Sequence, residues 1–249
     1  MPASDFDLLI DHGNSRIKWA MAGAQSWSVG EAIDYSGKET DFGPWSELDA
    51  PQRIVVSNSA GRAAFAHLEN WCQSQWQLKP QLLKAKPAQH GVSNSYPEPE
   101  TLGSDRWLAL IAARQLRKGP LAVIDCGTAV TVDALSGEGA FLGGVISAGP
   151  KISAGALIER AAHLDREDMR YSGVFNTDTA SAVTAGALIF VVGGIEKVLA
   201  EFRPKLGDGF TVFMTGGWAE TIAPLMRTEV TVYPDLVLQG IQLVTGKES

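Results

Sequence analysis

Two carboxylates, Asp11 and Asp125, stand in the same local pattern 114 positions apart. Leu8-Leu9-Ile10 runs into Asp11-His12-Gly13-Asn14-Ser15, and Ala122-Val123-Ile124 runs into Asp125-Cys126-Gly127-Thr128-Ala129. Each copy ends an apolar strand in Asp-x-Gly plus a small polar residue, then resumes as a second strand, Arg16 to Met21 or Val130 to Leu135. The result is a hairpin whose turn carries a carboxylate, backbone N–H groups and a hydroxyl or amide. Such a turn can hold polyphosphate and its cation, because glycine lets backbone donors approach the oxygens closely. A plain hairpin turn has the same composition, so the weight lies on the repetition. Two facing copies predict a two-lobed phosphotransferase with a nucleotide in the cleft between the lobes.

Phosphoryl transfer needs a countercharge on the triphosphate, a cation and a group that deprotonates or orients the acceptor hydroxyl. Asp11 could reach Mg²⁺ directly or through water. Gly13, Asn14 and Ser15 offer donors, and Lys18 follows three residues later as a countercharge. Asp105 is the general-base candidate, at a helix start beside Gly103 and Arg106, where the arginine could hold an anionic substrate or keep the carboxylate ionised. A helix-capping aspartate with a surface arginine reads the same way. Gly143-Gly144-Val145-Ile146 and Gly149-Pro150 join a strand to a helix whose first N–H groups could meet phosphate, or could simply allow close packing. Thr215-Gly216-Gly217 carries little by itself. His12, His67, His90 and His163 form no ligand-spaced pair with each other or with cysteine, which argues against structural zinc. No Gly-x-Ser-x-Gly elbow, Walker A sequence or Gly-x-Gly-x-x-Gly occurs.

The elements that must position these residues follow from periodicity. The first half reads as strands Phe6 to Ile10, Arg16 to Met21 and Ser26 to Ala32, then the β-branched strand Arg53 to Ser57. A helix from Arg62 to Gln75, a short strand at Leu82-Leu83, a loop Gln89 to Glu100 and a helix from Ser104 to Leu116 follow, with Ser104 as expected N-cap. Lys118-Gly119-Pro120 punctuates the chain, and the plan repeats: strands Leu121 to Asp125, Val130 to Leu135 and Phe141 to Ile146, then a helix Ser153 to His163. A long helix Thr179 to Phe202, a strand Phe210 to Met214, a helix from Ala219, a strand Val230 to Tyr233 and a helix Leu236 to Val244 complete the second half. Strand–hairpin–helix order written twice is α/β architecture. It predicts lobes at residues 1–118 and 119–249 of the 249-residue chain.

Composition bounds the partners. A net charge of −7 disfavours a nucleic-acid surface, which needs clustered Lys and Arg. A cleft can still be locally positive, so small anions stay open. Cys72 and Cys126 read as two free buried thiols in a reducing cytoplasm, with a lone disulfide as the alternative. The N-terminus lacks the basic start and apolar core of a signal peptide. Thr179 to Ile195 carries no charge over 17 residues, slightly short of a bilayer span, and reads as a helix buried in the core or at a subunit interface rather than in a membrane.

Taken in order, these segments resemble the type III pantothenate kinases of the acetate kinase/sugar kinase/Hsp70/actin superfamily. The run Asp11, His12, Gly13, Asn14, Ser15, Arg16, Ile17, Lys18 looks like the family's nucleotide motif. Tyr96 with Leu102-Gly103-Ser104-Asp105-Arg106-Trp107 looks like its pantothenate motif, and Asp125 to Asp133 matches its Asp-x-Gly-Thr-Ala-x-Thr-x-Asp. Thr179-Ala180-Ser181-Ala182-Val183, reaching Gly186, fits its Thr-x-x-Ala-Ile/Val-x-x-Gly. The resemblance implies two ribonuclease-H-like (actin-like) lobes and ATP-dependent phosphorylation of the primary hydroxyl of pantothenate, the first step of coenzyme A synthesis. It implies Asp105 as proton acceptor. Tyr96, Gly103, Ser104, Asp105, Arg106 and Thr179 would contact pantothenate, and Thr128 would contact ATP. Asp125 would hold K⁺ or NH₄⁺, and Mg²⁺ would accompany ATP. It also implies a homodimer whose second subunit helps bind pantothenate. One departure is Ala148, where the family's glycine-rich loop has proline; another is Ser15, where threonine is commoner. Two further readings stay open: a kinase of another small alcohol, sugar or carboxylate, and a regulatory, transcription-accessory member without kinase activity.

Overall fold

The computed structural model describes residues 5–35, 37, 40–158 and 169–246. The chain divides into two compact units, Met1–Gln115 with Asp235–Ser249, and Leu116–Pro234. In the first unit, β1 (Phe6–His12) pairs antiparallel with β2 (Arg16–Gly23), which carries β3 (Trp27–Val29) and β4 (Ile33–Asp34). After the short α1 (Gly43–Ser46), β5 (Ile54–Asn58) lies parallel to β1 on its other side, followed by α2 (Arg62–Trp76) and the two-residue β6 (Gln81–Leu82). A small hairpin, β7 (Ala88–Gln89) and β8 (Val92–Ser93), precedes α3 (Ser104–Leu116).

The second unit repeats the plan. β9 (Leu121–Cys126), β10 (Ala129–Leu135) and β11 (Phe141–Ala148) form an antiparallel meander. α4 (Pro150–Ile158) and α5 (Thr179–Leu206) follow, and then β12 (Thr211–Thr215) joins parallel to β9. The four-residue α6 (Ala219–Ile222) leads to β13 (Thr231–Val232). The sheet orders are β3-β2-β1-β5-β6 and β11-β10-β9-β12-β13. The two sheets therefore have the same topology, as the twice-written pattern predicts.

Composition explains which strand is central. Leu8, Leu9 and Ile10 are all fully buried, as are Val55 and Val56, because helices or loops cover both sheet faces and leave no polar side to alternate. α2 buries Ala64, Leu68 and Cys72, one position per helical turn. α5 buries Val192, Ile195 and Leu199 against a core that includes Val130 and Val132 of β10, while Phe190 is 81% exposed. By length and composition α5 could cross a membrane, and a third of its most apolar window is buried within the protein. The helix also runs through Pro204, beyond the Phe202 end expected from sequence, since proline near a helix end removes few hydrogen bonds. α4 is realised over Pro150–Ile158, and the rest of the expected Ser153 to His163 helix, with His163, lies outside the described residues.

The last helix departs from the expected lobe boundary. α7 (Leu236–Thr245) packs on β1, β2 and β5, so it belongs with the first unit and not with 119–249. Its hydrogen-only position, Gly240, explains how close it comes: a Cβ there would lie 2.2 Å from the Leu108 carbonyl oxygen of α3. Arg53, ion-paired with Asp7 of β1, also donates to the Thr245 carbonyl at 3.4 Å, pinning the end of α7 to the sheet. Cys72 and Cys126 are free and buried, and burial pushes the Cys72 thiol up to about 12.

Candidate active site

In the first unit, Asp11 is the penultimate residue of β1, opposite Lys18 on β2 and Ser57 on β5. The turn closes with Gly13 N–H donating to the Arg16 carbonyl at 2.9 Å. Gly13 is not in the left-handed region; its lack of a side chain matters because a Cβ would approach Arg16 O at 3.0 Å. Asn14, Ser15 and Arg16 are exposed at the tip, and Asn14 Nδ2 ties it to the Ser59 carbonyl at 3.1 Å. Arg16 is paired with Asp34 at 3.6 Å. Two members of the sequence motif point elsewhere. Ile17 and His12 are fully buried, so only their backbones can serve a ligand at the turn. His12 has neither ring nitrogen bonded among the described residues, lies edge-on to Tyr35 at 4.7 Å, and has its pKa lowered to about 4 by burial and the nearby His67.

The second cluster in this unit opens α3. Gly103 O accepts from Trp107 N at 3.0 Å, so Gly103 is the N-cap and the expected cap, Ser104, is the first residue of the helix. The Ser104 hydroxyl does not cap; it meets the buried Ser57 hydroxyl at 2.9 Å, linking the helix start to the strand beside Asp11. Asp105 turns its Oδ1 back to accept Arg106 N–H at 2.8 Å, and a Cβ on Gly103 would sit 2.6 Å from that same oxygen. This bond holds Oδ1 at the helix start and fixes the carboxylate rotamer. Arg106, 8% exposed, donates from Nη1 to the Tyr96 hydroxyl at 3.1 Å. The structure thus brings together Tyr96, Gly103, Ser104, Asp105 and Arg106. Ser57 was missed by sequence reasoning, and only its place one strand from Asp11 could have marked it.

In the second unit, the Asp125 turn is built differently. Gly127 N–H donates to the Ala129 carbonyl at 3.0 Å, so this hairpin is one residue tighter than the first. Glycines crowd it. A Cβ on Gly216, whose φ is +94°, would lie 2.4 Å from Asp125 Oδ1, and one on Gly149 would lie 2.4 Å from the Gly127 carbonyl. The Gly149 N–H donates to Thr128 O at 2.9 Å, so it is engaged by the turn rather than offered to phosphate. Gly143 and Gly144 lie within β11 rather than in a connection, with Gly144 leaving room for the buried Asp133 carboxylate. Trp218 N–H donates to the Cys126 carbonyl at 2.8 Å, which gives Thr215-Gly216-Gly217 its role: it wraps the Asp125 turn. Thr179 is exposed at the start of α5, which Asp178 caps by accepting Ser181 N–H at 2.8 Å.

The donor chemistry sets what these turns can hold. No group of three or more His, Cys, Asp or Glu side chains converges among the described residues. A divalent ion would therefore rely on one carboxylate and on ligands from the nucleotide itself, which is how Mg²⁺ commonly binds beside phosphates. Asp11 fits that role. The Asp125 carboxylate, among backbone carbonyls, is an oxygen environment suited to a hard cation.

Beside α4 and α5 the second unit carries an apolar groove of about 540 Å³, lined by Val145, Leu157, Thr179, Val183 and Phe190 among others. Val145, Leu157 and Phe190 are 43%, 56% and 81% exposed there.

Residues 7–201 match the family model for type III pantothenate kinase. The type III pantothenate kinase of Nitrosococcus oceani is 38% identical, with 97% of this chain and 94% of that protein covered. The one from Nitrosospira multiformis is 35% identical, covering 97% of this chain and 92% of that protein. Among solved structures, a protein from Campylobacter jejuni described as a conserved Baf family transcriptional activator superposes with a TM-score of 0.58 at 20% identity, covering 94% and 95% of the two chains. At that identity the likeness carries the fold and not the activity. With the family model spanning most of its length and relatives above a third identical end to end, the chain belongs to the type III pantothenate kinase family.

Proposed function

We infer that this chain transfers the γ-phosphoryl group of ATP to the primary hydroxyl of pantothenate, giving 4′-phosphopantothenate and ADP for coenzyme A synthesis. The observation that carries the assignment of roles is the arrangement at the start of α3. There a carboxylate of fixed rotamer, Asp105, adjoins an arginine bonded to a tyrosine hydroxyl. In the proposed step the pantothenate hydroxyl oxygen bonds to the γ-phosphorus while the bond to the β,γ-bridging oxygen breaks. The hydroxyl proton passes to Asp105 Oδ2. Tyr96 and Arg106 hold the acceptor, with Gly103 and Ser104 lining its approach and Thr179 adding a contact at the start of α5. On the nucleotide side, the backbone of Asp11 to Lys18 and the side chains of Asn14 and Ser15 meet phosphate oxygens. Asp11 holds Mg²⁺, and Thr128 meets ATP. Mg²⁺ would supply charge neutralisation on the phosphates. Asp125 holds a monovalent cation, K⁺ or NH₄⁺.

We further propose that the protein is a homodimer of the reducing cytoplasm. The exposed Val145, Leu157 and Phe190 beside α5 support a second copy as the occupant of that face, since solvent-exposed apolar clusters mark association surfaces. The two free buried thiols suit the compartment.

A coupled assay of ADP release with pantothenate, run with and without K⁺, tests the reading. Asp105→Asn should lower kcat by about 10²–10⁴-fold, the usual effect of removing a general base. A near-full rate in that variant would reduce Asp105 to a helix-end residue.

A further inference from the structure

The segment that carries Tyr96 has little regular structure of its own. After β8 the chain passes Asn94-Ser95-Tyr96-Pro97-Glu98 and enters a 3-10 turn, Pro99–Thr101, before Leu102 and α3. Ser95, Pro97 and Glu98 are exposed, so packing does not fix this stretch. What fixes it is one half-buried side chain. Asn94 Oδ1 accepts Tyr96 N–H at 3.0 Å, and Asn94 Nδ2 donates to the Pro99 carbonyl at 3.0 Å. Its own backbone N–H donates to Pro87 O at 2.8 Å, anchoring it where the β7–β8 hairpin begins. The hairpin is in turn tied to α3. Gln115 Nε2 donates to the His90 carbonyl at 2.9 Å, and Trp107 Nε1 faces Gln89 Oε1 at 3.4 Å.

An asparagine that accepts from the N–H two residues on closes an Asx turn, which sets the backbone direction at that residue. Here the residue is Tyr96, whose hydroxyl receives Arg106 Nη1. The second arm of the same amide reaches the 3-10 turn leading to Gly103 and Asp105. We propose that Asn94 is a positioning residue for the acceptor substrate: by clamping both ends of the Ser95–Glu98 loop it holds Tyr96 against Arg106, in the geometry that binds pantothenate. This rests on the reading of Tyr96 and Arg106 as acceptor-binding groups. It predicts an effect confined to one substrate, because Asn94 reaches neither the Asp11 turn nor the Asp105 carboxylate directly.

The test compares Asn94→Ala, Asn94→Asp and Tyr96→Ala with the parent, measuring kcat, KM for pantothenate, KM for ATP and thermal midpoint. Asn94→Ala should raise KM for pantothenate about 10-fold, the effect of losing one to two ordinary hydrogen bonds. KM for ATP should stay within about twofold of the parent. Asn94→Asp retains the turn-closing oxygen and loses only the donor, so its KM should lie between the two. If Asn94→Ala lowers kcat and changes both KM values together, or if Asn94→Asp is as impaired as Asn94→Ala, the positioning role is overturned. If Tyr96→Ala raises KM for pantothenate and Asn94→Ala does not, the inference fails while the acceptor site stands. An unchanged KM in Tyr96→Ala removes the acceptor reading itself.

Discussion

His12 offers the most direct check on the electrostatics behind the first Asp-x-Gly turn. Its imidazole is fully buried and unbonded among the described residues, so charging it inside the fold is costly. Its pKa falls from 6.5 to about 4, through burial first and the neighbouring His67 second. An unfolded chain therefore binds this proton more readily than the folded one between those two values. Stability must rise with pH across that window and is lost as pH falls from 6.5 toward 4. At about 1.4 kcal/mol per pKa unit, the full loss is about 3 kcal/mol below pH 4 and about 2 kcal/mol at pH 5, relative to pH 8. His12→Leu removes the titration and leaves every other group in common with the parent. Urea unfolding of ligand-free protein at about pH 8, 6 and 5 gives the difference directly. Deleting two unsatisfied buried nitrogens should leave the variant at least as stable as the parent at pH 8. Its advantage should then grow by about 2 kcal/mol by pH 5. A parent–variant difference that stays flat across this range would mean that His12 titrates normally, and the buried, unbonded environment of its ring would be wrong.

Two other perturbations follow from the second unit. Gly216→Ala forces a side chain into a left-handed φ of +94° and places its Cβ 2.4 Å from Asp125 Oδ1. The proposed cation site should be the first casualty: the K⁺ concentration for half-maximal rate should rise about 10-fold or more, with a stability cost of about 1–3 kcal/mol. Titrating K⁺ in the coupled assay checks this, and an unaltered K⁺ response would detach Asp125 from the cation. Phe190→Asp puts a carboxylate on the most exposed aromatic of α5. Sedimentation velocity should show a concentration-dependent dimer in the parent and a monomer in the variant, and a dimer unchanged by the substitution would place the interface elsewhere.

Much of the fold was legible because the governing signals are local. Leu8-Leu9-Ile10 and Ala122-Val123-Ile124 are too uniformly apolar to be edge strands, and both turned out to be central. The Asp-x-Gly turns at their ends needed only hairpin chemistry to find. What failed to show was non-local. α7 follows β13 directly in sequence, and nothing in Leu236-Val237-Leu238 says which sheet it will cover. That is decided by a close approach to α3 that Gly240 permits at Leu108, two positions far apart in the chain. Ser57 and Asn94 were likewise invisible, since serine near the end of a strand and asparagine within a loop are ordinary punctuation. Their roles appear only when Ser104 and Pro99 come within hydrogen-bonding distance. His12 and Ile17 show the converse: their side chains are buried, so only their backbones are open to a ligand at the turn. A motif read as a contiguous run includes alternate strand positions whose side chains face the core.

The twice-written turn presents two different local environments on one topology. The first copy places four residues between its last paired positions, His12 and Ile17, and the second places three between Cys126 and Val130. The extra residue lifts Asn14, Ser15 and Arg16 into solvent, where side-chain and backbone donors can meet anionic oxygens. The tighter copy has no such tip. Instead Gly149 and Gly216 close on it, with the Gly149 N–H bonding the Thr128 carbonyl and the Trp218 N–H bonding the Cys126 carbonyl next to Asp125. Donors outward suit phosphate, and acceptors with a carboxylate suit a cation. Lengthening the second turn by one residue, as in the first, would be incompatible with the Gly149 and Gly216 contacts, whereas the first turn meets no such enclosure at its tip. The asymmetry between the two copies is therefore fixed by the glycines around the second, not by the Asp-x-Gly sequence they share.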